Sequence, residues 1–282
     1  MMMDTDKQRD LIAYLDFHEE AGVDIALDER PHDRFSGPDA AVAPEVKPVA
    51  RLAARPPIER GEPEKPATRT PTYGGSAAAP PDAAAGSARA QASEAKSLEE
   101  LEALLRAFDG CPLRFTAKNL AFSDGDPAAP VMFIGEAPGA DEDRVGKPFM
   151  GRSGQLLDRM MATIGLDRTG AYIANIVPWR PPGNRTPTPQ EAAICRPFLE
   201  RQIALVDPKL IVCLGSPATQ ALTGTKDGIL KMRGRFHKAQ VAGREFRVLA
   251  TLHPAYLLRQ PLQKRLAWRD FRLLRAALDG AA

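Results

Sequence analysis

Along the carboxy-terminal two thirds of the chain the spacing of apolar positions changes repeatedly, and each change predicts an element. After Ser97, the residues Leu98, Leu101, Leu104, Leu105 and Phe108 recur every three or four positions, which sets them on one side of a helix. Ser97 itself supplies a hydroxyl that can accept from a free N–H of the first turn. Short apolar or β-branched runs at residues 131–134, 171–177, 210–214 and 246–252 predict strands. Helical stretches at 155–164, 189–205 and 217–222 separate them. Thr188-Pro189-Gln190-Glu191 joins an N-cap threonine, a proline at the first helical position and a capping-box glutamate, so a helix is predicted to begin there. A last helix over 266–278 gathers Leu266, Trp268, Phe271, Leu273, Leu274 and Leu278 near one face. Alternating strands and helices predict an α/β domain over residues 93–282, a small parallel sheet with helices on both faces.

The first third reads differently. Residues 7–23 place Leu11, Ile12, Leu15 and Phe17 at loosely helical spacing, so residues 1–29 are expected to hold a short amphipathic helix, too small to be a domain. Residues 30–92 carry 11 Pro and 16 Ala with few large apolar side chains. Such a composition buries too little surface to offset chain entropy, and a disordered linker is expected.

Composition narrows the function. The net charge of +2 conceals an asymmetry: residues 1–94 carry 11 Lys/Arg against 17 Asp/Glu, and residues 95–282 carry 27 against 19. A basic domain suits a polyanionic partner, because lysine and arginine that displace counterions gain affinity for nucleic acid. Three cysteines are an odd number, and no run of 18 apolar residues occurs. A disulfide framework, secretion and membrane spanning are therefore not expected, and the expected compartment is a reducing cytoplasm. No coiled-coil stripe is present, so a monomer is expected; residues 7–23 are the place where a protein partner would bind.

In open parallel sheets ligands sit beyond the carboxyl ends of the strands, which directs attention to three loops. The first reads GEAPGADEDRVGKPFMGRSGQLLD, from Gly135. The second follows the strand ending YIAN and reads RPPGNRTPTPQE, from Arg180. The third reads HPAYLLR, from His253. The first loop lacks both GxxxxGK[ST] and GxGxxG and offers carboxylates where a phosphate would sit, which disfavours a nucleotide triphosphate enzyme. Together the loops supply a carboxylate, an aromatic ring, a carboxamide, a histidine and several arginines, an inventory suited to a flipped nucleobase.

These three motifs, in this order, resemble those of family 4 uracil-DNA glycosylases over about residues 108–275. The resemblance implies a three-layer α/β/α fold with a four-stranded parallel sheet, and hydrolysis of the bond between uracil N1 and deoxyribose after the nucleotide swings out of the duplex. It also assigns roles. Glu136 is the first candidate to activate water near the sugar, and His253 is the donor to uracil O2. Asn175 reads the base and Phe149 stacks on it, with Ala137 a further substrate contact. Tyr256, Leu257, Leu258 and Arg259 belong to a loop that enters the duplex, and Arg180, Asn184 and Arg185 are expected to hold phosphates. Glu142 has two readings: a pocket wall that crowds C5 and rejects thymine, or an acidic residue favouring a helix N-terminus.

The family pattern is broken at one place. Family 4 enzymes typically bind a 4Fe-4S cluster through four cysteines, and the matching positions here are Phe108, Cys111, Trp179 and Cys195. No cluster and no other cofactor is expected. Cys213 lies within an apolar run and reads as a buried small hydrophobe. The expected activity is that of a monofunctional glycosylase of base excision repair, without lyase chemistry because no lysine is implied as a nucleophile. The alternative is a slow or inactive protein that binds uracil or abasic DNA. A covalent uracil trap would need a basic, histidine-bearing insertion after the first loop, which the direct run from Gly151 to Gln155 lacks.

Overall fold

The computed structural model describes residues 81–280; the expected helical segment within residues 1–29 and residues 30–80 of the expected linker lie outside the described residues. Helices α1 (Pro81–Glu94) and α2 (Leu98–Ala107) lead into a six-stranded sheet, with strands β1 (Asp124–Gly125), β2 (Val131–Gly135), β3 (Tyr172–Asn175), β4 (Leu210–Leu214), β5 (Phe236–Val241) and β6 (Arg244–Thr251). Between the strands run α3 (Ala140–Val145), α4 (Arg152–Ala162), α5 (Pro189–Val206), α6 (Ser216–Thr223) and α7 (Ile229–Met232). Helices α8 (Pro254–Arg259) and α9 (Lys264–Leu278) follow β6.

The strand order is β1-β3-β2-β4-β6-β5. The inner four strands, β3, β2, β4 and β6, pair in parallel, whereas β1 and β5 pair antiparallel at the two edges. Among the described residues the expectation of a four-stranded parallel sheet is thus corrected to a mixed sheet of six, with the parallel strands as its interior. The missed β5 joins β6 through Ala242-Gly243, whose φ angles of 49° and 77° make a tight hairpin turn. Alanine at such a turn hides a signal that asparagine or aspartate normally carries.

Alternation along the strands explains the layers. Met132, Ile134, Tyr172, Ala174, Ile211 and Cys213 face one side and pack with residues of α1, α2, α5 and α6. Val131, Phe133, Ile173, Val212 and Leu249 face the other and pack with Leu157 and Met161 of α4 and Phe271 and Leu274 of α9. Because both faces are covered, the central strands β2 and β4 read as continuous apolar runs.

Helix α1 overturns the reading of residues 81–92 as disordered linker. Its alanines at 84, 88 and 92, with Ala95 beyond its end, lie on one face, are at most 4% exposed and pack against α5. Small side chains at four-residue spacing let two helices approach closely, a property that a count of alanines does not register. The predicted helix starts elsewhere are observed. Thr188 Oγ1 accepts from the Glu191 N–H at 3.2 Å while the Glu191 carboxylate accepts from the Thr188 N–H at 2.7 Å, and Ser97 accepts from Glu100.

Candidate active site

The loops after β2, β3 and β6 converge at the carboxyl end of the sheet around a cleft of about 470 Å³, whose walls include Glu136, Ala137, Phe149, Asn175, His253 and Arg259. Asn175 ends β3 and stands in register beside Gly135, the last residue of β2. It is 5% exposed, and its Oδ1 is buried without a hydrogen-bond partner among the described residues. A buried acceptor left unpaired is costly, and Asn175 is one of the residues that line the cleft. Gly135 makes the arrangement sterically feasible: a Cβ there would lie 2.4 Å from Asn175 Oδ1 and 2.6 Å from the Phe149 ring.

The Phe149 ring lines the cleft and also packs into the apolar layer with Phe133 and Leu157. Its backbone is left-handed, with φ 56°, a conformation uncommon for a bulky residue. The ring lies 5.7 Å from that of His253, centroid to centroid, at 31°.

His253 caps α8 with its own side chain: Nδ1 accepts from the Ala255 N–H at 3.1 Å. In the neutral imidazole that leaves the proton on Nε2, so the ring is a donor. Burial pushes its pKa down to about 4, helped by repulsion from Arg259 and opposed in part by Glu142. The loop after β4 makes room for it. Gly215 has φ 91°, and a Cβ there would approach the Cβ of His253 to 3.2 Å.

The two glutamates of the first loop differ. Glu136 follows β2 directly and faces the cleft, while its carbonyl accepts from the Val177 N–H. Glu142 is buried, and its carboxylate accepts from the N–H groups of Gly139, Met150 and Gly151 at 2.9 to 3.0 Å. It therefore ties the start of α3 to the start of α4, in keeping with the helix-terminus reading, although it also reaches the cleft wall.

In the proline-glycine loop, Arg180 Nε donates to Asn184 Oδ1 at 2.7 Å, and Arg185 forms a two-pronged pair with Glu191 at 2.6 and 2.8 Å. Arg185 is thus bound to the carboxylate that caps α5. In HPAYLLR, read as a loop, the structure forms the short helix α8. Tyr256 lies on the cleft, while Leu258 and Arg259 are exposed. Leu257 is a correction: it is fully buried with Leu252 and Ala267, because one turn of helix rotates it inward, and it is a core residue here.

The residues at the family's cluster positions do not fit a four-thiolate cluster. Phe108 and Trp179 are each 3% exposed and share one apolar cluster with Cys111 and Cys195. Phe108 also packs against Phe198, ring centroids 5.1 Å apart. Carbon rings offer iron no ligand, and the whole chain has three cysteines. Cys195 Sγ donates to Cys111 Sγ at 3.9 Å. Among the described residues no group of three or more His, Cys, Asp or Glu is placed to hold a metal ion.

The family model described as Uracil DNA glycosylase superfamily matches residues 122–272. A type-4 uracil-DNA glycosylase of Archaeoglobus fulgidus is 37% identical over 181 residues, 63% of this chain and 91% of that protein. One of Thermotoga maritima is 42% identical over 150 residues, 53% of this chain and 77% of that protein. A type-5 uracil-DNA glycosylase of Thermus thermophilus is 33% identical over 139 residues, 44% of this chain and 62% of that protein.

Proposed function

This chain belongs to the uracil DNA glycosylase superfamily, as a family-4-like member without an intact set of iron–sulfur cysteines, and we propose that it hydrolyses the N-glycosidic bond of uracil in DNA. The observation that carries this reading is the unpaired, buried Oδ1 of Asn175, set in one cleft with a neutral histidine donor and an aromatic ring. Uracil N3–H supplies the donor that Oδ1 lacks, and the carboxamide NH2 donates to O4; cytosine presents the opposite pattern at both atoms. Phe149 stacks on the extruded base and returns part of the unstacking energy.

When the bond breaks, the electron pair leaves with uracil and is delocalised towards O2. His253 Nε2–H donates there without itself being ionised. The sugar becomes cation-like, and the Glu136 carboxylate stabilises it and accepts a proton from the water that attacks C1′. The products are free uracil and an abasic site, which makes the reaction a first step of base excision repair. Arg180, Asn184, Tyr256, Leu258 and Arg259 hold the strand around the extruded nucleotide. The protein acts as a monomer, and its three free cysteines support a reducing compartment, the cytoplasm, as its place of action.

Incubation with uracil-containing single- and double-stranded oligonucleotides is expected to yield alkali-labile sites, with Glu136→Gln and His253→Leu as controls. Loss of at least about 100-fold in rate is expected for His253→Leu, the magnitude of losing one donor to a developing oxyanion. Tight binding to uracil or abasic DNA with no labile site would move the assignment to a binding protein.

A further inference from the structure

Arg168 lies in the turn between α4 and β3 and is no part of the cleft wall. Its guanidinium nevertheless reaches the backbone that carries the stacking ring. Nη2 donates to the Phe149 carbonyl at 2.5 Å and Nη1 to the Pro148 carbonyl at 3.3 Å. Two carboxylates orient the fork: Asp158 of α4 accepts from Nε at 2.9 Å, and Asp124 of β1 accepts from Nη1 at 2.6 Å. The other oxygen of Asp124 accepts from Lys147 at 2.9 Å, so residues 147 to 149 are all tied to one charged cluster.

Phe149 needs such an anchor. A bulky residue keeps a left-handed backbone only where its surroundings over-determine it. Two of those surroundings are glycines in contact with it: Gly135 beneath the ring, and Gly154, where a Cβ would lie 1.7 Å from the Phe149 carbonyl oxygen. Arg168 grips that same oxygen with a side chain. We propose that Arg168 is a positioning residue for base stacking, which sets the tilt of the Phe149 ring over an extruded uracil through the Phe149 main chain. This assignment rests on the uracil-excision reading of the cleft.

The test uses the full chain and the variants Arg168→Met, Phe149→Ala and their combination. Three quantities are read: the single-turnover excision rate, the inhibition constant of free uracil, and the thermal midpoint. At a temperature where every variant is folded, Arg168→Met is expected to lose about ten- to hundredfold in rate, the scale of a misplaced contact. Inhibition by free uracil should weaken in parallel, and the double variant should be no worse than Phe149→Ala, because both changes remove one function. Unchanged uracil inhibition in folded Arg168→Met, or additive losses in the double variant, would overturn the proposal. Should Arg168→Met fail to fold, Asp158→Asn loosens the same fork and is held to the same non-additivity. Wild-type protein that releases no uracil defeats the reading of the cleft and this assignment with it; wild-type excision with a wild-type-like Arg168→Met defeats this assignment alone.

Discussion

Asn175, with its unpaired acceptor, and His253, with its ring donor, line one cleft, and each makes a separate prediction. Replacing Asn175 by leucine removes the only groups here assigned to read N3 and O4, so excision is expected to fall by at least about 100-fold in a single-turnover assay with little change in thermal midpoint. The His253 imidazole, held down to about 4 by burial and by Arg259, stays neutral far below the ordinary histidine range. The ratio of wild-type to His253→Leu rates should therefore hold constant from about pH 7 to pH 5 and change only towards pH 4; a change centred near 6.5 would contradict the assignment. Stability follows the same sign. The unfolded chain binds this proton near pH 6.5 and the folded chain only near 4, so the contribution of His253 to stability is full above 6.5 and is lost as pH falls towards 4.

At the scale of elements, Gly154 offers a test in which two effects oppose each other. In an ordinary helix interior, glycine to alanine stabilises by about 1 kcal/mol. At the start of α4 the added Cβ would lie 1.7 Å from the Phe149 carbonyl oxygen, so Gly154→Ala is expected to destabilise by about 1–3 kcal/mol in urea unfolding. Legibility also varied by element. The α5 start was readable because proline, threonine and glutamate each act locally. Helix α1 was hidden by its composition, and β5 by an alanine turn. The inward placement of Leu257 is not legible in the sequence, because the rotational phase of a six-residue helix depends on what packs beneath it. The cleft residues were legible from three motifs, whereas Arg168 was not: it acts through hydrogen bonds from a turn that carries no motif.

For the molecule as a whole, a covered parallel interior with edge strands on either side brings the loops after β2, β3 and β6 to one end, and Phe108 and Trp179 are buried in one apolar cluster with Cys111 and Cys195. Trp179→Ala should therefore destabilise by about 3–5 kcal/mol, as for other buried aromatics, with no recovery on adding iron and sulfide. The membership of the chain in its superfamily and the chemistry of its cleft meet in one measurement: quantification of free base released from matched oligonucleotides carrying uracil, cytosine or thymine at one position. The account predicts uracil released in equal number to abasic sites and no release of cytosine or thymine; release of no base, or of all three alike, would contradict it.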